Sequence, residues 1–256
     1  MNSHIDHSNN PEQGVLYPDG SALLRPLDPP RSLKAKMLIP ILVAGLVGAG
    51  VFASYLNAVI GEPQRQQEAL EANITRDVAL DLPAIAPLLS QSDQDMLSSL
   101  QSSGYTMYEK TPVGSNEKGG FEVIKLPSDV SLEQAGLMYL QGIDNLDPSD
   151  AGLLLHGSWS LSVDRSAGVN IRVRYADFNS QTIDAAIQNA KAAQGLADIQ
   201  AEEAGVDDSG NTFQTGKAES NGETYTWRVS VCPLSDIYSV SGLPEDAYYV
   251  GIRYMK

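Results

Sequence analysis

From Met37 to Ile60 apolar residues follow one another without a single charge, and twelve of these twenty-four are Leu, Ile, Val or Phe. A helix of that length rises about 36 Å, enough to cross a hydrocarbon layer of about 30 Å. Each large apolar residue near its centre favours insertion by about 0.3–0.6 kcal/mol. The pattern predicts one transmembrane helix over residues 37–60, held in the lipid bilayer. The run exceeds the 7–15 apolar residues of a signal peptide, so the helix is expected to be retained.

Beyond it the spacing changes. Glu62 to Leu80 has Pro63 in a first-turn position and Leu70, Ile74 and Val78 four apart, a narrow helical stripe. Pro83 and Pro87 follow, so residues 61–89 read as a juxtamembrane stalk and residues 90–256 as the folded domain. Within that domain Ser92/Asp95 and Ser131/Gln134 have the spacing of capping boxes. The first opens a helix carrying Met96, Leu97 and Leu100. The second opens one with Leu132, Ala135, Tyr139 and Ile143 on a face. A third helix, from Ser180 to about Gln194, places Ile183, Ala186, Ile187 and Ala190 together, with continuation past Gly195 towards Gly205 as the alternative.

The strand signals have a period of two. Tyr105–Glu109 and Phe121–Leu126 are expected strands. Leu153, Leu155, Trp159, Leu161 and Val163 alternate with His156, Ser158, Ser160, Ser162 and Asp164. After a turn at Arg165–Gly168, Ile171, Val173 and Tyr175 alternate with Asn170, Arg172 and Arg174. Asn221-Gly222 is a two-residue hairpin signal that pairs Gly216 with Trp227 and Ala218 with Tyr225. A last strand, Tyr248–Met255, buries either Tyr248, Val250, Ile252 and Tyr254 or the alternate row. The fold class is α+β: an antiparallel sheet with helices on one face, built from repeated helix-hairpin units or a ferredoxin-like unit.

Charge sets the orientation. Arg25, Arg31, Lys34 and Lys36 precede the apolar run, and Gly61, Glu62 and Pro63 follow it, so the N-terminus is expected in the cytoplasm and the large domain outside a plasma membrane. Residues 1–36, with five prolines and no periodicity, are expected to form a disordered cytoplasmic tail. Four of the 17 basic and four of the 32 acidic residues precede Met37, so the whole net charge of −15 belongs to residues 61–256. Such a surface repels nucleic acid and anionic lipid. Cys232 is the only cysteine, which excludes an intramolecular disulfide.

Motifs that commit to a reaction are absent. His156 is the only histidine outside residues 1–36, and Ser158, two along the same expected strand, stands too far off for direct proton transfer. The acidic stretches Asp144–Asp150 and Asp207–Asn211 lack the glycine and distal glutamate of a calcium loop. No cofactor and no metal is expected. The basic spot in the acidic domain is Arg172 and Arg174, beside Ser158 and Ser160 on the neighbouring strand: two guanidiniums next to hydroxyls suit phosphate or carboxylate. In the membrane helix, Ala44, Gly45, Gly48 and Ala49 have the four-residue spacing that lets two helices approach, so a homodimer is an expected partner form. The sequence thus points to a non-catalytic binding or scaffolding domain outside the membrane, facing an envelope protein or an anionic polymer. Two alternatives stand beside it: an envelope enzyme using carboxylates, and a regulatory or signalling subunit of a membrane complex.

Overall fold

The computed structural model describes Ser54 and residues 61–117, 119–220 and 222–256. The expected tail 1–36 and the expected membrane helix, with Ala44, Gly45, Gly48 and Ala49, lie outside the described residues, Ser54 excepted. Among the described residues no helix is long and apolar enough to cross a membrane.

Those residues form five α-helices and one sheet. The helices are α1 (Glu62–Ile74), α2 (Asp93–Ser102), α3 (Leu132–Gln141), α4 (Pro148–Leu155) and α5 (Ile183–Ala193). The strands are β1 (Met107–Thr111), β2 (Gly120–Lys125), β3 (Trp159–Asp164), β4 (Asn170–Asp177), β5 (Glu203–Val206), β6 (Thr212–Ser220), β7 (Glu223–Pro233) and β8 (Tyr248–Met255). All eight join one sheet in the order β1-β2-β3-β4-β8-β7-β6-β5, with every neighbouring pair antiparallel.

Local chemistry fixes many of these elements where the sequence places them. The Ser92 hydroxyl accepts from the Asp95 amide at 3.2 Å, and Ser131 accepts from Gln134 at 3.2 Å. Strands β6 and β7 pair Gly216 with Trp227 and Ala218 with Tyr225, and β3 and β4 pair Trp159 with Tyr175. On β8, Tyr248, Val250, Ile252 and Tyr254 are buried.

Elsewhere the structure departs from the expectation. Leu153 and Leu155 lie on helix α4, not on a strand. Pro148 at its first turn needs no amide partner, and Ala151, Leu154 and Leu155 bury a helical face. Gly157, at φ +82°, then turns the chain, so alternation starts at Trp159. The expected stalk is part of the domain: Leu70 and Ile74 of α1 are buried, Leu70 against Gly152 of α4, and Ile85 is wholly buried in the main core. Helix α5 does end where the main expectation put it, at Ala193 with Gln194 as its C-cap, before Gly195 at φ +69°; the alternative run towards Gly205 is not formed.

The helices occupy both faces of the sheet, not one. Met96, Leu97 and Leu100 of α2 and Ala186, Ile187 and Ala190 of α5 pack against Trp159, Val173, Trp227 and Ile252. Ala135 and Met138 of α3 instead cover Ile124, on the opposite side of β2 from Val123. A further apolar cluster, Leu155, Leu234 and Ala247 with Tyr249, closes one end of that second face. A ferredoxin-like unit would set its third strand between its first and second; here β2, β3 and β4 stand side by side in chain order.

The repeat is larger than a helix and a hairpin. Helix α2 leads β1–β4, helix α5 leads β5–β8, and the two four-stranded halves meet at β4 and β8, so the sheet order reads the same from either edge. Both helices open with a hydroxyl cap, Ser92 and Thr182, and both precede a glycine of positive φ, Gly104 and Gly195. The strands repeat in sequence as well: Trp159-Ser-Leu-Ser-Val163 matches Trp227-Arg-Val-Ser-Val231, and Ile171-Arg-Val-Arg-Tyr175 matches Val250-Gly-Ile-Arg-Tyr254. Trp159 pairs with Tyr175, and Trp227 pairs with Tyr254 in the same way.

Candidate anion-binding cleft

Where the second face of the sheet is open, the strand register builds a row of cations. Arg172 lies opposite Ser162 on one side and Arg253 on the other, and Arg253 lies opposite Arg228. The adjacent row reads Ser160, Arg174, Gly251, Ser230. Directly opposed side chains in a sheet have Cβ atoms about 4.5–5.5 Å apart, and like charges there repel. A cleft of about 720 Å³ opens over these rows, a volume within the range of small-molecule sites.

The four guanidiniums differ in how they are compensated. Arg228 is neutralised by Asp207 at 2.8 Å and lies 3.9 Å from the centre of the Phe213 ring. Arg174 donates to the Ser162 hydroxyl at 3.1 Å and has Glu122 at 3.9 Å, while its Nε is buried without a partner. Arg253 donates through Nε to the Asn170 side-chain oxygen at 2.9 Å. Arg172 makes no hydrogen bond or ion pair with any described residue. Burial, and then the charges of Arg174 and Arg253, push its pKa below the ordinary arginine value. A ligand anion would relieve that repulsion and fill the open donor positions.

The walls come from two loops. On one side the turn Asp207–Asn211 folds over the sheet edge. The Asp207 carboxylate accepts from the amides of Ser209 and Asn211 and from the Asn211 side chain; those hydrogen bonds, Asn211's first, hold its pKa below the usual carboxylate range. This stretch is therefore a self-capped turn whose acid is committed to Arg228. On the other side stand Tyr249 and Ile237, with Cys232 beside Tyr249 in the register. The Cys232 thiol is buried, which pushes its pKa up and leaves it a poor nucleophile. Among the described residues no group of three or more His, Cys, Asp or Glu is placed to hold a metal ion.

Of the residues singled out from the sequence, Arg172 and Arg174 share the cleft, and Ser160 lies opposite Arg174. Ser158 does not join them: it is buried before β3, beside the Tyr139 phenol of α3. His156 is also withdrawn. Its Nε2 donates to the Arg76 carbonyl at 2.9 Å, the Arg76 guanidinium returns a bond to the His156 carbonyl at 3.0 Å, and the ring packs on Phe178. A His156–Ser158 couple is therefore not formed. Asn73 of α1 donates its side-chain amide to Ser149 at 2.8 and 3.0 Å. Arg228 and Arg253 were missed because they sit on strands far along the chain. The repeated Trp-x-aliphatic-Ser-Val and aliphatic-x-aliphatic-Arg-Tyr segments carry the signal that finds them.

No family model, no curated protein and no solved structure matches this chain.

Proposed function

We propose that this chain is a single-pass membrane protein whose extracytoplasmic domain is a non-catalytic binding module for an anionic component of the cell envelope. The observation that carries this reading is the group Arg172, Arg174 and Arg253. Three guanidiniums face one cleft, and among the described residues the nearest carboxylate is Glu122, 3.9 Å from Arg174, with Asp164 acting on Arg172 from farther off, in a domain carrying the entire net charge of −15. Cations concentrated against the sign of the rest of the surface cost stability through mutual repulsion, and a bound anion offsets that cost. The commitment of Asp207 to Arg228 and its own turn supports binding over carboxylate catalysis in this cleft. Membrane attachment rests on the charge-free run Met37–Ile60 and the basic residues before it.

The test is titration of the full-length protein, purified in detergent, with phosphate-bearing and carboxylate-bearing polymers and with inorganic phosphate. Binding should weaken as salt rises and fall at least ten-fold in the Arg172→Ala/Arg174→Ala double variant, with an unchanged circular dichroism spectrum. Equal binding by both proteins, or by neither, overturns the reading.

A further inference from the structure

The cleft floor is graded along two neighbouring strands. On β8 the residues facing it are Tyr249, Gly251 and Arg253, and on β7 their direct partners are Cys232, Ser230 and Arg228. Both strands thus run from a bulkier side chain of low polarity, the Tyr249 ring with its phenol on Arg174 and the Cys232 thiol, through a small one, to a cation. Ile237 lies in the segment after β7 and is 42% exposed at the apolar end, one of the few large hydrophobic side chains so exposed among the described residues. The distance from Tyr249 to Arg253 is four residue steps, about 13 Å of extended strand.

Gly251 is the middle of this gradient. Its backbone does not need glycine, since its φ is not in the left-handed region. An added Cβ would meet the Ser230 hydroxyl at 3.1 Å and the Arg174 Cγ at 4.0 Å. The matching position in the other half of the sheet is Arg172. Glycine inside a strand commonly marks the close approach of another group; here it opens space directly opposite Arg174 and one turn of the pleat from Arg253.

We propose that the cleft takes a small organic anion with an apolar or aromatic body, its phosphate or carboxylate headgroup over Gly251 between Arg174 and Arg253 and its body against Tyr249 and Ile237. The proposal rests on the anion-binding reading and names the ligand class. A charged polymer would leave the Tyr249–Ile237 end unused, and a bare inorganic anion would fill little of about 720 Å³. The graded floor selects for both ends of the ligand at once.

The experiment is calorimetric titration of the full-length protein in detergent with two pairs of probes, phenyl phosphate against inorganic phosphate and benzoate against acetate. The aromatic member of at least one pair should bind ten-fold or more tightly than its partner. Ile237→Ser should reduce that ratio at least three-fold. Gly251→Val should abolish binding of the aromatic anion, and Gly251→Ala should weaken it, which keeps the test open should the valine variant fail to fold. No preference for the aromatic member in either pair, or wild-type binding by a folded Gly251→Val protein, overturns the proposal and leaves anion binding standing. If none of the four anions binds, this proposal falls, and the polymer titration decides the anion-binding reading by itself.

Discussion

Arg172 on β4 and Arg253 on β8 are directly opposed across the central strand pair of the sheet, the seam where the two halves of the repeat meet. Two like charges held there are a local cost, and Arg172 forms no hydrogen bond or ion pair among the described residues; Tyr249 and Asp164 offset the repulsion only in part.

Replacing Arg172 by Gln should therefore stabilise the ligand-free protein at low salt, by about 0.2–1 kcal/mol, because the change removes repulsion and no hydrogen bond. High salt screens the repulsion and should erase the gain. Urea unfolding of the two proteins at low and high ionic strength measures this. A loss of stability at low salt would show that Arg172 contributes to the fold in some other way.

The two tryptophans at equivalent places in the repeat should differ. Both are essentially fully buried, but the Trp159 indole donates to the Asp81 carbonyl at 3.1 Å, whereas the Trp227 Nε1 has no hydrogen-bond partner among the described residues. Trp159→Phe should cost more than Trp227→Phe, by about 0.5–1.5 kcal/mol, the net worth of that hydrogen bond. Chemical denaturation of both variants decides it, and an equal or reversed order removes the argument.

Stability should also depend on His156. Burial, the largest cause, lowers its folded-state pKa below the ordinary histidine value of about 6.5. The unfolded chain then binds a proton at a pH where the folded one does not. The stability contributed is full above the unfolded pKa and is lost as the pH falls from there through the folded pKa. Unfolding followed from pH 8 down to pH 5 should show this decline, and His156→Gln should flatten it. An unchanged pH profile in the variant would assign the decline to other groups.

Protease added outside intact cells or spheroplasts should remove residues 61–256 and spare an epitope placed before Arg25. The positive charges before Met37 require this orientation if they govern insertion. Protection of the large domain would overturn both the topology and the proposed envelope ligand.

Local chemistry made a large part of this fold legible before any tertiary structure. The hydroxyl caps at Ser92 and Ser131 start helices because they satisfy free amides in the first turn. The Asn-Gly turn set the Gly216–Trp227 register because a two-residue hairpin admits one pairing. Alternation in β3 and β4 named the buried residues, and it placed Arg172 and Arg174 together because side chains two apart in a strand share a face; on β8 it left two rows open, and packing chose Tyr248, Val250, Ile252 and Tyr254. Leu153 and Leu155 misled because a two-residue spacing near Pro148 fits a helix as well as a strand. Tertiary structure alone decided that β4 lies beside β8, and that Arg253 and Arg228 extend the row begun by Arg172. It also decided that α3 covers the second face at Ile124 and that Ser158 and His156 are sealed beneath other segments. Periodicity reports which face a residue is on, and it carries no record of which distant strand will stand next to it. That adjacency comes from burying both four-stranded halves under α2 and α5 in a single core, and the arginine cleft exists only because they meet there.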